Sequence, residues 1–301
     1  LGKSDPKNDE FDILLFAGCD IEEFSIPTNI KAISSYAFYK RQNITKVEIP
    51  QNSSLQSIEK HAFSYSNIRE ILLPSSVSKI CKYVFSNCDN LEKVEFQPNS
   101  NLQTIEKYAF SESSIKEFFI PSKVSKICEY AFYKCKNLIK VEFQQNSNLQ
   151  TIEKFAFSES SIKEIFIPSK VSTICKNVFC CCKNLTKVEI PKNSNLETIE
   201  VSVFQSSEIQ NIFIPSKVSK ICQYSFWYCS NLINVEIPQN SNLQIIEEKA
   251  FSSSNIENRR FIEKDQVEIT NSSYVTISHN EKYLYSITGF YNMQKCIFFL
   301  Q

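Results

Sequence analysis

The chain of 301 residues carries 33 basic and 33 acidic side chains, and 42% of it is apolar with 13% aromatic, enough to bury a large core. A net charge of zero leaves no surplus positive charge to displace counterions, which argues against a broad nucleic-acid-binding field. Gly2, Gly18 and Gly289 fall in no phosphate-loop or dinucleotide spacing, and no run of 18 apolar residues occurs, so neither nucleotide binding nor a membrane-inserted segment is expected.

Residues 1 to 20 precede any regular pattern and read as an N-terminal flank; they open Leu-Gly-Lys with no signal-peptide profile, and the sequence reads as a piece of a longer protein. From there to about residue 262 the chain repeats. Proline returns every 47 residues, at Pro27, Pro74, Pro121, Pro168 and Pro215. Phe38, Phe85, Phe132, Phe179 and Phe226 keep the same period, as do Phe63, Phe110, Phe157, Phe204 and Phe251. The step from the first Phe series to the second is 25 residues and the return is 22, so each half is the size of one leucine-rich repeat coil, and residues 21 to 262 hold about ten of them.

Within each coil, runs such as Leu91 to Phe96 and Ile115 to Ile120 share the spacing apolar-x-x-apolar-x-apolar. The alternating end of that run is the period of a half-buried strand, and equal spacing stacks successive strands in parallel. The first half then enters an Asn/Ser-rich turn, as at Gln97 to Asn101, and the second a shorter Pro121-Ser122-Lys123 turn. The expected fold is a β-dominated leucine-rich repeat solenoid of the α/β superhelix type, with a parallel concave sheet and short helical or 3-10 turns on the convex side.

The residue between the last two apolar positions of each strand points outward. Along the chain it reads Glu48, Leu72, Glu95, Phe119, Glu142, Phe166, Glu189, Phe213, Glu236 and Arg260. Two readings stand. Large side chains suit a strand surface, with carboxylates keeping it soluble. Alternatively Leu72, Phe119, Phe166 and Phe213, with Glu95, Glu142 and Glu189 between them, form a partner-binding stripe. Two positions earlier, Lys46, Glu70, Lys93, Glu117, Lys140, Glu164 and Lys187 alternate in sign, as cross-strand pairs that fix register would.

Eight of the 12 cysteines obey the period: Cys81, Cys128, Cys175 and Cys222, then Cys88, Cys135, Cys182 and Cys229. Ser66, Ser113, Ser160, Ser207 and Ser254 take the place of the second series in the alternate half, which marks a small, weakly polar packing site. Equivalent cysteines two coils apart sit about 10 Å from each other, beyond the reach of a disulfide. A bridge inside one coil, Cys81 to Cys88, stays open. Cys-x6-Cys is no usual zinc spacing, and with His61 and His279 the only histidines no metal or other cofactor is expected. Cys180-Cys181-Cys182 is the one irregular cluster. Neither histidine has a periodic acid or nucleophile partner, so the chain reads as non-enzymatic.

Residues 263 to 301 break the period; with a strand-like 274 to 287 they read as a β-rich cap or spacer. Asn43, Asn52, Asn184 and Asn271 stand in glycosylation sequons.

The half-repeats, clearest at Ile120-Pro-Ser-Lys-Val-Ser-Lys-Ile-Cys-Glu-Tyr-Ala-Phe-Tyr-Lys-Cys135, resemble the BspA-like leucine-rich repeat family, whose units carry a similar Ile-Pro, Ile-Gly, Ala-Phe and Cys pattern. The match spans about 240 of the 301 residues, and departs where the family's glycine after isoleucine is Cys128 or Glu106 here. The resemblance implies a surface antigen or adhesin type of protein, exposed or secreted, that attaches to protein or glycoprotein ligands on host cells, matrix or other microbes. It brings no catalytic residues. An intracellular, cytoplasmic scaffold for protein–protein interaction is the alternative.

Overall fold

A computed structural model describes residues 1–3, 11–18 and 20–254, with the backbone of Glu268–Ile269. The rest of the cap expected over 263 to 301, the strand-like 274 to 287, Arg259, Arg260, Asn271 and His279 lie outside the described residues. The chain divides into two compact units, Leu1–Ile162 and Lys163–Gln301, each a stretch of parallel β-solenoid.

In the first unit the alternating segments form the long strands Glu23–Ser25, Lys46–Glu48, Glu70–Leu73, Lys93–Phe96, Glu117–Ile120 and Lys140–Phe143. Their middle apolar residues, Val47, Ile71, Val94, Phe118 and Val141, are buried while the neighbours on either side face outward. The second unit repeats this with Glu164–Phe166, Lys187–Glu189, Asn211–Phe213 and Asn234–Glu236. Register follows the period: Glu70 pairs with Lys93, Glu117 with Lys140 and Glu164 with Lys187.

Each coil also makes a second, two-residue strand that the sequence pattern did not disclose. In the first unit Ile13–Leu14, Ala32–Ile33, Ser57–Ile58, Lys79–Ile80, Thr104–Ile105, Lys126–Ile127 and Thr151–Ile152 stack in parallel. In the second unit Thr198–Ile199, Lys220–Ile221, Ile245–Ile246 and Glu268–Ile269 do the same. The isoleucine that ends each short strand from Ala32–Ile33 to Ile245–Ile246 points into the core, as Ile58, Ile105, Ile152 and Ile199 do.

The expected helical or 3-10 turns are absent among the described residues; a ribbon of hydrogen-bonded β-turns replaces them. The amides show why. Those of Tyr108, Phe110 and Glu112 bond forward to the carbonyls of Glu129, Ala131 and Tyr133 in the next coil. Those of Ala109, Ser111 and Ser113 bond back to Glu106, Tyr108 and Phe110. Every second amide is thus committed between coils, which interrupts the unbroken run of internal bonds by which a helix propagates. Two residues per ribbon adopt the left-handed conformation, such as Tyr108 (φ 57°) with Glu112 (φ 58°) and Tyr130 (φ 58°) with Lys134 (φ 55°). A left-handed non-glycine residue costs roughly 1–2 kcal/mol, so the ribbon holds only because inter-coil bonds over-determine it.

The ribbons aim the periodic phenylalanines at one another. Phe38, Phe63, Phe85, Phe110, Phe132 and Phe157 stack with centroids 4.6–5.3 Å apart in the first unit, all fully buried. Phe179, Phe204, Phe226 and Phe251 stack at 4.9–5.6 Å in the second. A buried Phe contributes about 1.5–3 kcal/mol of transfer free energy, and each ring pair about 0.5–1.5 kcal/mol more. This ladder is the principal apolar spine of each unit.

The site where the family has glycine holds no left-handed residue: neither Glu106 nor Cys128 has positive φ. The Glu106 carboxylate instead accepts the Lys82 amide of the preceding coil (3.1 Å) and pairs with Lys79 (2.7 Å). Glu153 repeats this with the Glu129 amide and Lys126, and Glu247 with the Gln223 amide and Lys220. The missing glycine is therefore an inter-coil tie, and the turn is tightened two and six residues later.

Candidate strand-face binding site

Because the long strands alternate, every second side chain stands clear of the core on one face. In the first unit Leu72 (38% exposed) lies in register with Glu95, and Phe119 (45% exposed) with Glu142. In the second unit Phe166 (48% exposed) is in register with Glu189, and Phe213 with Glu236. Phe213 is half-buried, so it offers less apolar surface than the other three. Within each unit the pairing brings every apolar residue beside a carboxylate on the adjacent strand.

The carboxylates are themselves tethered. Lys93 pairs with Glu95 (2.8 Å), Lys140 with Glu142 (2.8 Å) and Lys187 with Glu189 (2.5 Å), with both partners about half exposed. These pairs run along one strand, two residues apart, and the register also sets each lysine beside a glutamate of the adjacent strand, as expected. Side chains at i and i+2 of a strand share one face, which is where these partners meet. The cross-strand partner still acts at longer range, since the Lys93 pKa is raised first by its bond to Glu95 and further by the charge of Glu70. Exposed pairs like these contribute little to stability and chiefly order the face.

A second aromatic row went unrecognised in the sequence. At the first left-handed position of each turn ribbon in the first unit stand Tyr36, His61, Tyr83, Tyr108, Tyr130 and Phe155. Their rings stack at 4.6–5.0 Å, half-buried, with Tyr36 51% exposed at one end. The signal was available, since each lies two residues before a periodic phenylalanine. His61, weighed as a catalytic candidate, is a rung of this stack; burial first and the Lys60 charge second push its pKa down, and its Nδ1 is buried without a hydrogen-bond partner.

The cysteines pack as a ladder with serine. Cys88 touches Ser66 (3.7 Å) and donates to the Phe63 carbonyl (3.1 Å), and Cys135 does so with Ser113 and Phe110. Cys229 repeats it with Ser207 and Phe204. Burial pushes the thiols of Cys88 and Cys135 up to about 12 and that of Cys229 up to about 11. Cys81 and Cys88 are not bridged to each other. Among the described residues no group of three His, Cys, Asp or Glu side chains could hold a metal ion, and no helix is long and apolar enough to cross a membrane.

Residues 13–139, 103–233 and 150–279 match the model of the BspA type leucine rich repeat region, in six copies. Among solved structures, the pneumococcal vaccine antigen PcpA is similar at 20% identity, over 82% of this chain and 73% of that one, with a TM-score of 0.49. A leucine-rich repeat protein from Bacteroides ovatus is similar at 21% identity over 83% of each chain, with a TM-score of 0.46. A leucine rich cell surface protein from Faecalibacterium prausnitzii is similar at 21% identity over 83% and 79%, with a TM-score of 0.42. No curated protein matches the sequence.

Proposed function

The chain belongs to the BspA-type leucine-rich repeat family and is a protein-interaction repeat module; from that premise we propose that it is a non-enzymatic adhesion module, at the cell surface or secreted. It binds a protein or glycoprotein on a host-cell, matrix or microbial surface through the long-strand face. The observation that carries this reading is the exposure of Leu72 and Phe119 in the first unit and Phe166 in the second, each in register with a glutamate. Apolar side chains held rigidly on strands lose little entropy on binding, and carboxylates around them select against mismatched partners.

The test is binding of the purified chain to host cells and matrix proteins, beside a variant carrying Phe119→Ser and Phe166→Ser. Saturable binding that is lost in the variant while the melting temperature holds supports the assignment; equal binding by both refutes it.

The alternative, an intracellular scaffold, is separated from this reading by the redox state of the 12 cysteines in the native protein. Disulfides persist in oxidising compartments. Oxidised cysteines in protein taken from its native source would count against the scaffold, and full reduction would count for it.

A further inference from the structure

Cys180 and Cys181 occupy the half-buried corner of one turn ribbon in the second unit, at a place where packing makes no demand for sulfur. The same two positions are Gln205-Ser206, Trp227-Tyr228 and Ser252-Ser253 in the later coils, and Ser111-Glu112 or Tyr133-Lys134 in the first unit. Serine, tryptophan, tyrosine and lysine are all accommodated, so nothing in the repeat explains two adjacent cysteines there. Cys182 is different: it is fully buried and belongs to the periodic packing series.

The backbone brings the two thiols together. Cys181 is left-handed (φ 59°), its amide is fixed to the Gln205 carbonyl of the next coil (2.8 Å), and the Cys180 amide closes a turn on Asn177 (3.3 Å). Adjacent side chains in a strand diverge; in this turn they converge, with the two sulfurs 3.4 Å apart. Consecutive Cα atoms lie only about 3.8 Å apart across a trans peptide, below the roughly 4.4–6.8 Å an ordinary disulfide spans, so the corner is poorly shaped for an S–S bond. It is well shaped for chelation. Two sulfurs 3.4 Å apart, each about 2.3 Å from one bound atom, subtend about 95° there, the angle of a pyramidal three-coordinate centre rather than a tetrahedral one.

The geometry points to a dithiol site at Cys180–Cys181 for a trivalent, thiophilic centre, the chemical class represented by arsenic(III). Capture is a condensation without redox change. With a hydrated monosubstituted arsenical, R–As(OH)2, both S–H bonds and both As–OH bonds break, two As–S bonds form, and each hydroxide leaves with a thiol proton as water. Closing the second bond within one rigid turn supplies the affinity, because that bond is intramolecular.

The test uses phenylarsine oxide as the probe on the full 301-residue chain. Native mass analysis should show one phenylarsenic group per chain, peptide mapping should place it across Cys180 and Cys181, and an excess of a small dithiol should remove it. Cys180→Ser and Cys181→Ser should each weaken capture by about 100-fold or more, the loss expected when a chelate becomes a single bond, and Cys88→Ser should leave it unchanged. Serine already stands at both positions in the Ser252-Ser253 coil, and an unchanged far-ultraviolet dichroism spectrum verifies that the variants fold. Absence of an adduct on the unaltered chain, or an adduct of equal strength in either serine variant, would overturn the assignment.

Discussion

Replacing Glu112 with glycine should make the protein more stable, although the change deletes a whole side chain. Glu112 is exposed, its backbone is left-handed at φ 58°, and its amide is bonded to the Tyr133 carbonyl at 2.8 Å, so the conformation is imposed by the neighbouring coil. Holding a non-glycine residue there costs roughly 1–2 kcal/mol. Glycine removes that cost but gives back about 0.5–1 kcal/mol in unfolded-state entropy, for a net gain of up to about 1.5 kcal/mol. The matched control is Ser111→Gly, one residue earlier. Ser111 is buried and has no left-handed backbone, so the same substitution should lose about 1 kcal/mol. Urea unfolding of the two variants beside the parent, compared at unchanged slope, reads both signs. A loss at Glu112, or equal effects at the two sites, would refute the account of the turn ribbon as strain held by inter-coil hydrogen bonds.

Phe132 stacks between Phe110 and Phe157 at 5.1 Å on each side and meets Phe118 edge-on at 4.9 Å, so Phe132→Ala should cost about 3–5 kcal/mol in the same unfolding assay. A cost under about 1 kcal/mol would contradict the ladder. His61 has its pKa lowered below 6.5 in the fold, so the protein keeps its full stability from this group above pH 6.5 and loses it as pH falls from there through the folded value. His61→Tyr, which restores the ring found at Tyr83, Tyr108 and Tyr130, should reduce the drop in melting temperature on acidification; an identical drop in both proteins would exclude His61 as its source. The Cys88 and Cys135 thiols, held at about 12, should resist iodoacetamide at neutral pH in the native protein and react fully in guanidinium. Rapid native labelling at either would show that the coil interior is open.

The coil register was legible because burial and period agree. A residue such as Phe119 alternates between Phe118 and Ile120, both buried, and a period of two assigns it to the outer face without any knowledge of the turns. The short strands were not legible, because Lys126–Ile127 and its equivalents hold two residues and two residues have no period. The turn ribbon was mistaken for helix for a related reason. Its Ala-Phe core resembles a helical turn, and what separates the two is the destination of each amide, which depends on the next coil rather than on local sequence. Its left-handed residues carry no glycine to announce them: tyrosine, glutamate, lysine and serine all stand there. The outward placement of Leu72, Phe119 and Phe166 followed from alternation, but the lysine–glutamate pairs along one strand did not, since a period of two gives each lysine an acidic neighbour both along its strand and across it.

The alternation of Lys46, Glu70 and Lys93 along paired strands has a consequence for how such a chain can change its length. Deleting two successive coils returns lysine beside glutamate, cysteine beside serine and phenylalanine beside phenylalanine, so the periodic contacts across the junction are of kinds the protein already makes. Deleting a single coil sets Lys46 against Lys93, and like charges directly opposite each other repel. A change of length is therefore better accommodated in steps of 47 residues than in steps of 22 or 25. Reach can then be adjusted by whole double coils without redesigning a single interface.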